Sequence, residues 1–209
     1  MAKNKRIDLL ASLTNGFKKI VDIGCDHGLV LKEAFLAHGI QEAIAVDINM
    51  KPLKQAEKNL KGYPVTFIQS DGFKEIKQSF DCAIIAGMGA HLISDILNNA
   101  PKHDITYVLQ PNDKVDILRT YLNESEFKII DEFVIYEKFF YTIIVCKRGV
   151  MKLDQEDLVL GPKLKHKKEA KAYYKYQLKN IHQIIDRVDP IRYEELKKLA
   201  RIYQNGIEC

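Results

Sequence analysis

Carboxylates and glycines recur in this chain at intervals that suit a ligand site. Asp22-Ile23-Gly24-Cys25-Asp26-His27-Gly28 follows a short β-branched run, Lys19 to Ile23, and precedes a segment of helical periodicity. Asp47-Ile48 closes a second apolar run, with Asp47 nineteen residues after Gly28. Asp71-Gly72 follows a third run, and Ala86-Gly87-Met88-Gly89 ends a fourth. Glycine at a strand-to-helix turn lets the backbone approach a ligand closely and permits positive φ. An acid at the end of the second strand can accept hydrogen bonds from both hydroxyls of a ribose. A side chain after the third strand is placed to meet an adenine amino group. The glycines do not form G-x-G-x-x-G, and no Walker A lysine accompanies them, so a phosphate cradle is poorly supported. S-adenosylmethionine carries no phosphate. Its site needs a close-approach glycine, an acid near the methionine ammonium and an acid for the ribose. Taken singly, each of these residues is an ordinary turn or cap former. Their recurrence at successive strand ends is what gives them weight.

The elements that must position them alternate from the start. Asp8 to Leu13 reads as the end of a helix, and Lys19 to Ile23 as a strand. Leu29 to His38 has helical periodicity, with Gly39 as a C-cap. Ala43 to Ile48 reads as a buried strand and Pro52 to Lys61 as a helix that closes before Gly62. Strands at Val65 to Gln69, Phe80 to Ala86 and Ile105 to Gln110 alternate with helices at Ala90 to Asn99 and Val115 to Leu122. Then the rhythm changes. Lys128 to Tyr136 and Phe140 to Lys147 form a β-hairpin. The expected fold class is α/β: a mostly parallel, class I methyltransferase Rossmann-like sheet with a closing antiparallel hairpin.

After Gly149 the strands stop, which divides the chain into 1–150, a Rossmann-like ligand-binding domain, and 151–209, a helical hairpin. Asp154 to Leu160 reads as a short helical turn. Pro162 is expected to open a long helix running to about Val188. Its seam of Ala170, Tyr174, Gln177, Ile181, Ile184 and Val188 has coiled-coil-like spacing. Asp189-Pro190 begins a second helix, with Asp189 as N-cap and a stripe of Leu196, Leu199 and Tyr203. The net charge is +4. Residues 1–150 hold 19 Lys and Arg against 19 Asp and Glu, so the whole excess lies in 151–209. Lys163, Lys165, Lys167, Lys168, Lys171, Lys175 and Lys179 are interrupted by only one acid, Glu169. Such a run is either a surface that tracks phosphates or an ordinary solvated face. Tyr173 and Tyr176 lie among them, available to stack on a base or, more commonly for Tyr at helical spacing, to pack.

Cys25, Cys82, Cys146 and Cys209 are far apart, with no C-x-x-C pair, so neither a zinc site nor a disulfide framework is suggested. No apolar run approaches the ~20 residues of a membrane-spanning helix. Met1 to Arg6 is basic but leads into an amphipathic stretch and not a signal-peptide core. The expectation is a cytoplasmic protein with no metal, no membrane attachment and no obligate protein partner.

Four segments carry a resemblance: DIGCDHG at 22–28, AGMGA at 86–90, LQPN at 109–112 and GPKL at 161–164. Together they resemble the bacterial tRNA methyltransferase family that modifies N1 of adenosine 22, over almost the whole chain. Ala90 stands where that family usually has a third glycine. The resemblance implies S-adenosylmethionine as cofactor, held by Asp22, Gly24, Cys25, Gly28, Asp47, Ile48, Asp71, Gly72, Ala86 and Gly87. It places the methyl-acceptor side near Asp26, His27, Met88 and Asn112, and makes tRNA the partner of the seven lysines. Adenine N1 has an in-plane lone pair and no proton, so attack on the methyl group needs no base. Asp26 is the candidate to stabilise the cation that forms. No (Asp/Asn)-Pro-Pro-(Tyr/Phe) signature of exocyclic adenine methylation occurs. Two alternatives stand beside this one: a small-molecule methyltransferase, which leaves the lysines as mere surface, and a non-catalytic RNA-binding module.

Overall fold

The computed structural model describes residues 4–208. The basic N-terminal stretch is therefore described only from Asn4, and Cys209 lies outside the described residues. The order of elements is α1 (Lys5–Ser12), β1 (Lys19–Ile23), α2 (Leu29–Ala37), β2 (Glu42–Asp47), α3 (Met50–Asn59), β3 (Val65–Gln69), β4 (Cys82–Met88), α4 (Ala90–Leu97), β5 (Thr106–Pro111), α5 (Val115–Glu124), β6 (Phe127–Tyr136), β7 (Phe140–Arg148), α6 (Gln155–Leu160), α7 (Ala170–Ile184) and α8 (Pro190–Glu208).

One seven-stranded sheet runs β3-β2-β1-β4-β5-β7-β6. The first five strands in that order are parallel, and β7 lies antiparallel between β5 and β6. The central strands are continuously apolar because both faces are covered. On one face Ile20, Ala45 and Ile84 pack beneath Leu10, Leu31 and Leu53 of α1, α2 and α3. On the other Val21, Ile85 and Leu109 pack beneath Ile93 and Leu118 of α4 and α5. This is the Rossmann-like methyltransferase arrangement expected from the sequence. The strand order reverses at β1 and β4, so a crevice opens at their carboxyl ends. No helix among the described residues is long and apolar enough to cross a membrane.

Three of the differences from the expected boundaries carry structural information. Helix α3 begins at Met50, two residues before Pro52, which therefore occupies its first turn. Strand β4 continues to Met88, because Gly87 takes φ +78° and is bulged out of the ladder between Ala86 and Met88. The largest difference is in the basic segment. No helix starts at Pro162; a single 3₁₀ turn spans Leu164–His166 and α7 begins only at Ala170. The buried carboxylate of Glu132 supplies the reason. Its Oε2 accepts the backbone N–H of Lys163 at 2.9 Å and of Leu164 at 3.1 Å, which folds this segment around β6.

Helices α7 and α8 form an antiparallel hairpin, and Asp189 caps α8 by accepting from Ile191 N and Arg192 N at 3.0 Å each. The seam is apolar where expected at Ala170, Tyr174 and Ile181, while Ile184 is exposed and Val188 lies beyond the end of α7. Gly206 lets α8 approach closely, since a Cβ there would lie 2.8 Å from Leu160 Cδ1. Tyr173 and Tyr174 join Val159, Leu160 and Leu164 in a separate apolar cluster that rests on Val134 and Phe140 of the β6–β7 hairpin.

Candidate active site

A cavity of about 530 Å³ occupies the carboxyl ends of β1, β2 and β4. Its walls bring together Asp22, Gly24, Cys25, Asp26, His27, Asp47, Ile48, Asp71, Gly72, Ala86, Gly87 and Met88, residues spread over 67 positions of sequence. Parallel strands with right-handed crossovers place successive strand ends side by side, which is how these loops meet. Four of the wall residues are aspartates, against one guanidinium, Arg6, among the described residues. That balance favours a cationic ligand over a pyrophosphate.

Asp22 is the most constrained of the four. It is 4% exposed and lines the cavity from the carboxyl end of β1. Burial, then the charges of Asp47 and Asp26, push its carboxyl up to about 7. An ionised carboxylate in that position lacks a counter-charge, which a ligand ammonium would supply. Asp47 is also buried, and its two oxygens each take one backbone N–H: Asn49 at 2.8 Å and Asp26 at 3.3 Å. These bonds fix its carboxylate plane against the cavity. Asp71 is exposed and paired with Lys74. Its carboxylate is therefore already engaged on the rim. Cys25 is buried, and desolvation together with Asp22 and Asp47 raises its thiol, so it stays protonated and unreactive.

The glycines have distinct tasks. Gly24 has φ +75°, and a Cβ there would collide with the methyl of Met88. Gly87 takes φ +78° in the bulge between Ala86 and Met88, both of which also line the cavity. Ala90 needs no such freedom: it is the first residue of α4, after Gly89 as N-cap, so a Cβ is compatible there. Gly28 stands outside the cavity wall. A Cβ on it would lie 2.7 Å from Leu60 Cδ1 and 3.3 Å from Ala56 Cβ, so its missing side chain serves the packing of α2 against α3.

Asp26 and His27 sit exposed at the mouth, 3.5 Å apart between Oδ1 and Nε2. Among the described residues Asp26 is one of three non-glycine residues at positive φ, +46°, a conformation Asp and Asn tolerate best. Asn112 is not part of the wall. Its Nδ2 donates to Gly87 O at 2.7 Å and its backbone N–H to Met88 O at 2.8 Å, so it braces the Gly87–Met88 turn from behind. Gln110, fully buried, links Asn112 Oδ1 at 3.2 Å to Arg6 Nη1 at 2.7 Å.

Sequence reasoning missed part of the wall: Arg6, Ile7 and Leu10 from α1, Leu29 and Val30 from α2, and Leu92 and Ile96 from α4. Leu29, Ile48 and Leu92 remain 46%, 60% and 49% exposed, which leaves an apolar rim suited to an adenine face. Apolar residues on helix starts carry no signature that separates them from core. No group of three or more His, Cys, Asp or Glu side chains among the described residues is placed to hold a metal ion.

Residues 20–208 match the sequence profile of TrmK, tRNA (adenine(22)-N(1))-methyltransferase. The tRNA (adenine(22)-N(1))-methyltransferase of Bacillus subtilis is 30% identical over 218 residues, covering 97% of this chain and 89% of the relative. The chain belongs to the TrmK family. Two solved structures are similar throughout. A protein of the NADB-Rossmann superfamily from Streptococcus agalactiae superposes with TM-score 0.90 at 26% identity, over 99% of this chain and 98% of the other. TrmK of M. capricolum, in complex with S-adenosyl-homocysteine, gives TM-score 0.86 at 25% identity, over 100% and 99%.

For a TrmK family member the seven lysines of 163–179 are of particular interest, and the structure divides them. Lys165 is committed to Asp157 at 3.0 Å, and that hydrogen bond first of all raises its ammonium. Lys167 pairs with Asp131 at 2.7 Å and lies 3.8 Å above the Phe133 ring. Lys163 gives its backbone N–H to Glu132 while its side chain stays exposed. Lys168 precedes α7, and Lys171, Lys175 and Lys179 follow at i, i+4 and i+8 along one helix face. That face lies roughly half a turn around α7 from Tyr173, Gln177 and Asn180, which point back toward β5 and β7. Tyr173 is buried and Tyr176 packs 5.2 Å from the Phe140 ring, so both act in packing.

Proposed function

We infer that this chain transfers the methyl group of S-adenosylmethionine to N1 of adenosine 22 in tRNA. The observation that carries the reading is the acid-rich cavity at the β1–β4 switch point, in a chain that belongs to the TrmK family. The cavity suits the cofactor on its own terms. Its volume is within the ordinary range for small-molecule sites, Asp22 offers a buried carboxylate without a counter-charge, and Gly24 leaves a close-approach surface that a side chain would fill.

The cofactor supplies an electrophilic methyl carbon on a sulfonium. The adenine N1 lone pair forms the new C–N bond as the C–S electron pair returns to sulfur, so no proton moves in the step. The chain's own residues bind and orient. Asp22 neutralises the ammonium, and Asp47, held planar by Asn49 N and Asp26 N, accepts the ribose hydroxyls. Ile48, Leu29 and Leu92 cover the adenine ring, with Asp71 and Gly72 at its edge. The Gly87–Met88 turn, braced by Asn112, lines the path of the incoming base. Asp26, exposed at the mouth, lowers the energy of the positive charge that develops on the methylated ring. N1 lies on the Watson–Crick edge, so the target base enters unstacked. The free lysines Lys163, Lys168, Lys171, Lys175 and Lys179 bind phosphates, and the protein works where tRNA is matured, in the cytoplasm.

Incubation with labelled S-adenosylmethionine and unmodified tRNA, followed by mapping of the labelled nucleotide, tests this. Label on N1 of adenosine 22 is expected. Label elsewhere in the tRNA, or none with tRNA while a small acceptor is methylated, refutes it.

A further inference from the structure

A second groove of about 550 Å³ lies between the Pro111–Ile117 segment, the start of β7 and the inner face of α7 and α8. It opens beside the first cavity, since Asn112 belongs to its wall and also braces Gly87. Its lining is of a different chemical kind. Two of its polar side chains are more than nine-tenths buried: Thr142, 5% exposed, and Tyr173, 4% exposed. The neighbouring Tyr174 donates its hydroxyl to Leu160 O at 2.8 Å. The hydroxyls of Thr142 and Tyr173 have no such partner among the described residues. Their oxygens are not sealed off by the protein, so both hydroxyls open on the groove and are free to bond what enters it.

Gln177 and Asn180, half-buried on the next turn of α7, add two carboxamides with both donors and acceptors to the same wall. Tyr203 of α8 closes the groove; burial, then the phenol of Tyr173, raises its hydroxyl, so it remains neutral. Among the described residues the only Lys or Arg side chains on this wall are Lys114 and Arg192, and Arg192 is paired with Glu195 at 2.7 Å. Asp113 and Asp116 stand against them. A phosphate finds no cluster of donors here. A flat, neutral, hydrogen-bonding ring finds edge partners in Thr142, Gln177 and Asn180, with the half-buried Phe140 ring beside them.

We propose that this groove receives a second, unpaired nucleobase of the substrate RNA, distinct from the base that is methylated, and that Thr142, Gln177 and Asn180 recognise its edge. The inference rests on the tRNA reading above. It gives RNA a foothold on the inner side of the helical hairpin, facing the methyl-transfer cavity, where the free lysine stripe of α7 does not reach.

The test is a T142V/N180A double variant of the full chain, with the N180A single variant as a check on folding. Thr142→Val removes a hydroxyl that bonds to nothing in the protein, so the fold is expected to be retained. S-adenosylmethionine affinity should match the parent, while tRNA affinity should fall about tenfold, the scale of one or two lost hydrogen bonds. A set of tRNAs with single abasic nucleotides outside position 22 then locates the base. One such tRNA should bind the parent about tenfold more weakly and lose nothing further with the variant. Unchanged tRNA affinity in the folded variant overturns the proposal. So does a loss that no single abasic position reproduces. Mapping the methyl group made by the parent enzyme is a separate readout, so failure of the groove and failure of the tRNA reading are told apart.

Discussion

Replacement of Asp22 by Asn should make the protein more stable and its site ineffective, and both effects should depend on pH. The carboxyl is pushed from 3.8 to about 7 by burial and by Asp47 and Asp26. A folded-state value above the unfolded one means the folded chain holds this proton more tightly. Below about pH 4 both states are protonated and Asp22 is neutral in its effect. As pH rises from about 4 toward 7 the unfolded state ionises first, and stability falls; above about 7 the full cost is present, about 4 kcal/mol by the size of the displacement. Asp22→Asn cannot ionise, so its thermal midpoint should exceed the parent's at pH 8 and approach it at pH 5. The cofactor ammonium reverses the balance by favouring the ionised form. Parent affinity should therefore fall by up to tenfold per unit as pH drops below about 7, and binding at pH 6 should release about 0.9 proton. Calorimetry between about pH 5.5 and 6.8, in buffers of different ionisation enthalpy, measures both, and the ligand's own α-amino group, which titrates at about 7.7 to 8.0, stays protonated through that window. A variant less stable than the parent at pH 8, or an affinity that does not change with pH, would refute the reasoning.

Asp47→Ala should weaken S-adenosylmethionine binding by about tenfold or more, because the ribose loses its acceptor; calorimetry on the folded variant decides. Asp26→Asn keeps a residue type that tolerates φ +46°, so cofactor affinity should hold while single-turnover methyl transfer slows; normal turnover at normal tRNA affinity would make Asp26 a turn residue only. Neutralising Lys168, Lys171, Lys175 and Lys179 together should reduce tRNA affinity and lower the salt slope by about 0.7 to 0.9 for each lysine–phosphate pair removed. Neutralising Lys165 and Lys167, which are spent on Asp157 and Asp131, should instead lower the thermal midpoint with little change in that slope.

Much of the fold was legible because both its periodicities are strong. Runs such as Ala43–Val46 and Cys82–Ile85 are continuously apolar, as a sheet covered on both faces requires. The acids at strand ends were legible for the same reason, since each marks where an apolar run stops. The rest of the wall was not. Leu29, Leu92 and Arg6 lie on helices whose apolar and basic residues look like any amphipathic surface, and only the crossover geometry brings them to the cavity. Gly28 misled because a glycine needed for helix packing and one needed for ligand approach leave the same mark. The basic segment misled for a deeper reason. Helical spacing is visible in sequence from Pro162 onward, but the competing acceptor, Glu132, is some thirty residues away on another element.

That acceptor also ties the start of the helical hairpin to the sheet. Glu132 on β6 and Arg119 on α5 form a fully buried pair, 2.8 Å between Oε1 and Nε. Removing one partner of such a pair typically costs about 3 to 5 kcal/mol, because the other charge is left alone in the interior. The remaining bonds of the pair come from beyond the last strand. Arg119 Nη1 donates to Leu158 O at 3.0 Å and Val159 O at 2.9 Å, and Glu132 Oε2 accepts from Lys163 and Leu164. Gly161 must pass between them, since a Cβ would lie 2.5 Å from both Arg119 Nη2 and Glu132 Oε2. A division of the chain at residue 150 follows composition and charge, but residues 158–164 supply four further hydrogen bonds to an ion pair that lies on the other side of it. The helical hairpin is thereby oriented by α5 and β6. Helix α5 begins at Val115, just after the Asn112–Lys114 turn that separates the acid-rich cavity from the neutral groove. One buried charge pair thus ties the helix that follows this turn to the segment that leads into the helical hairpin.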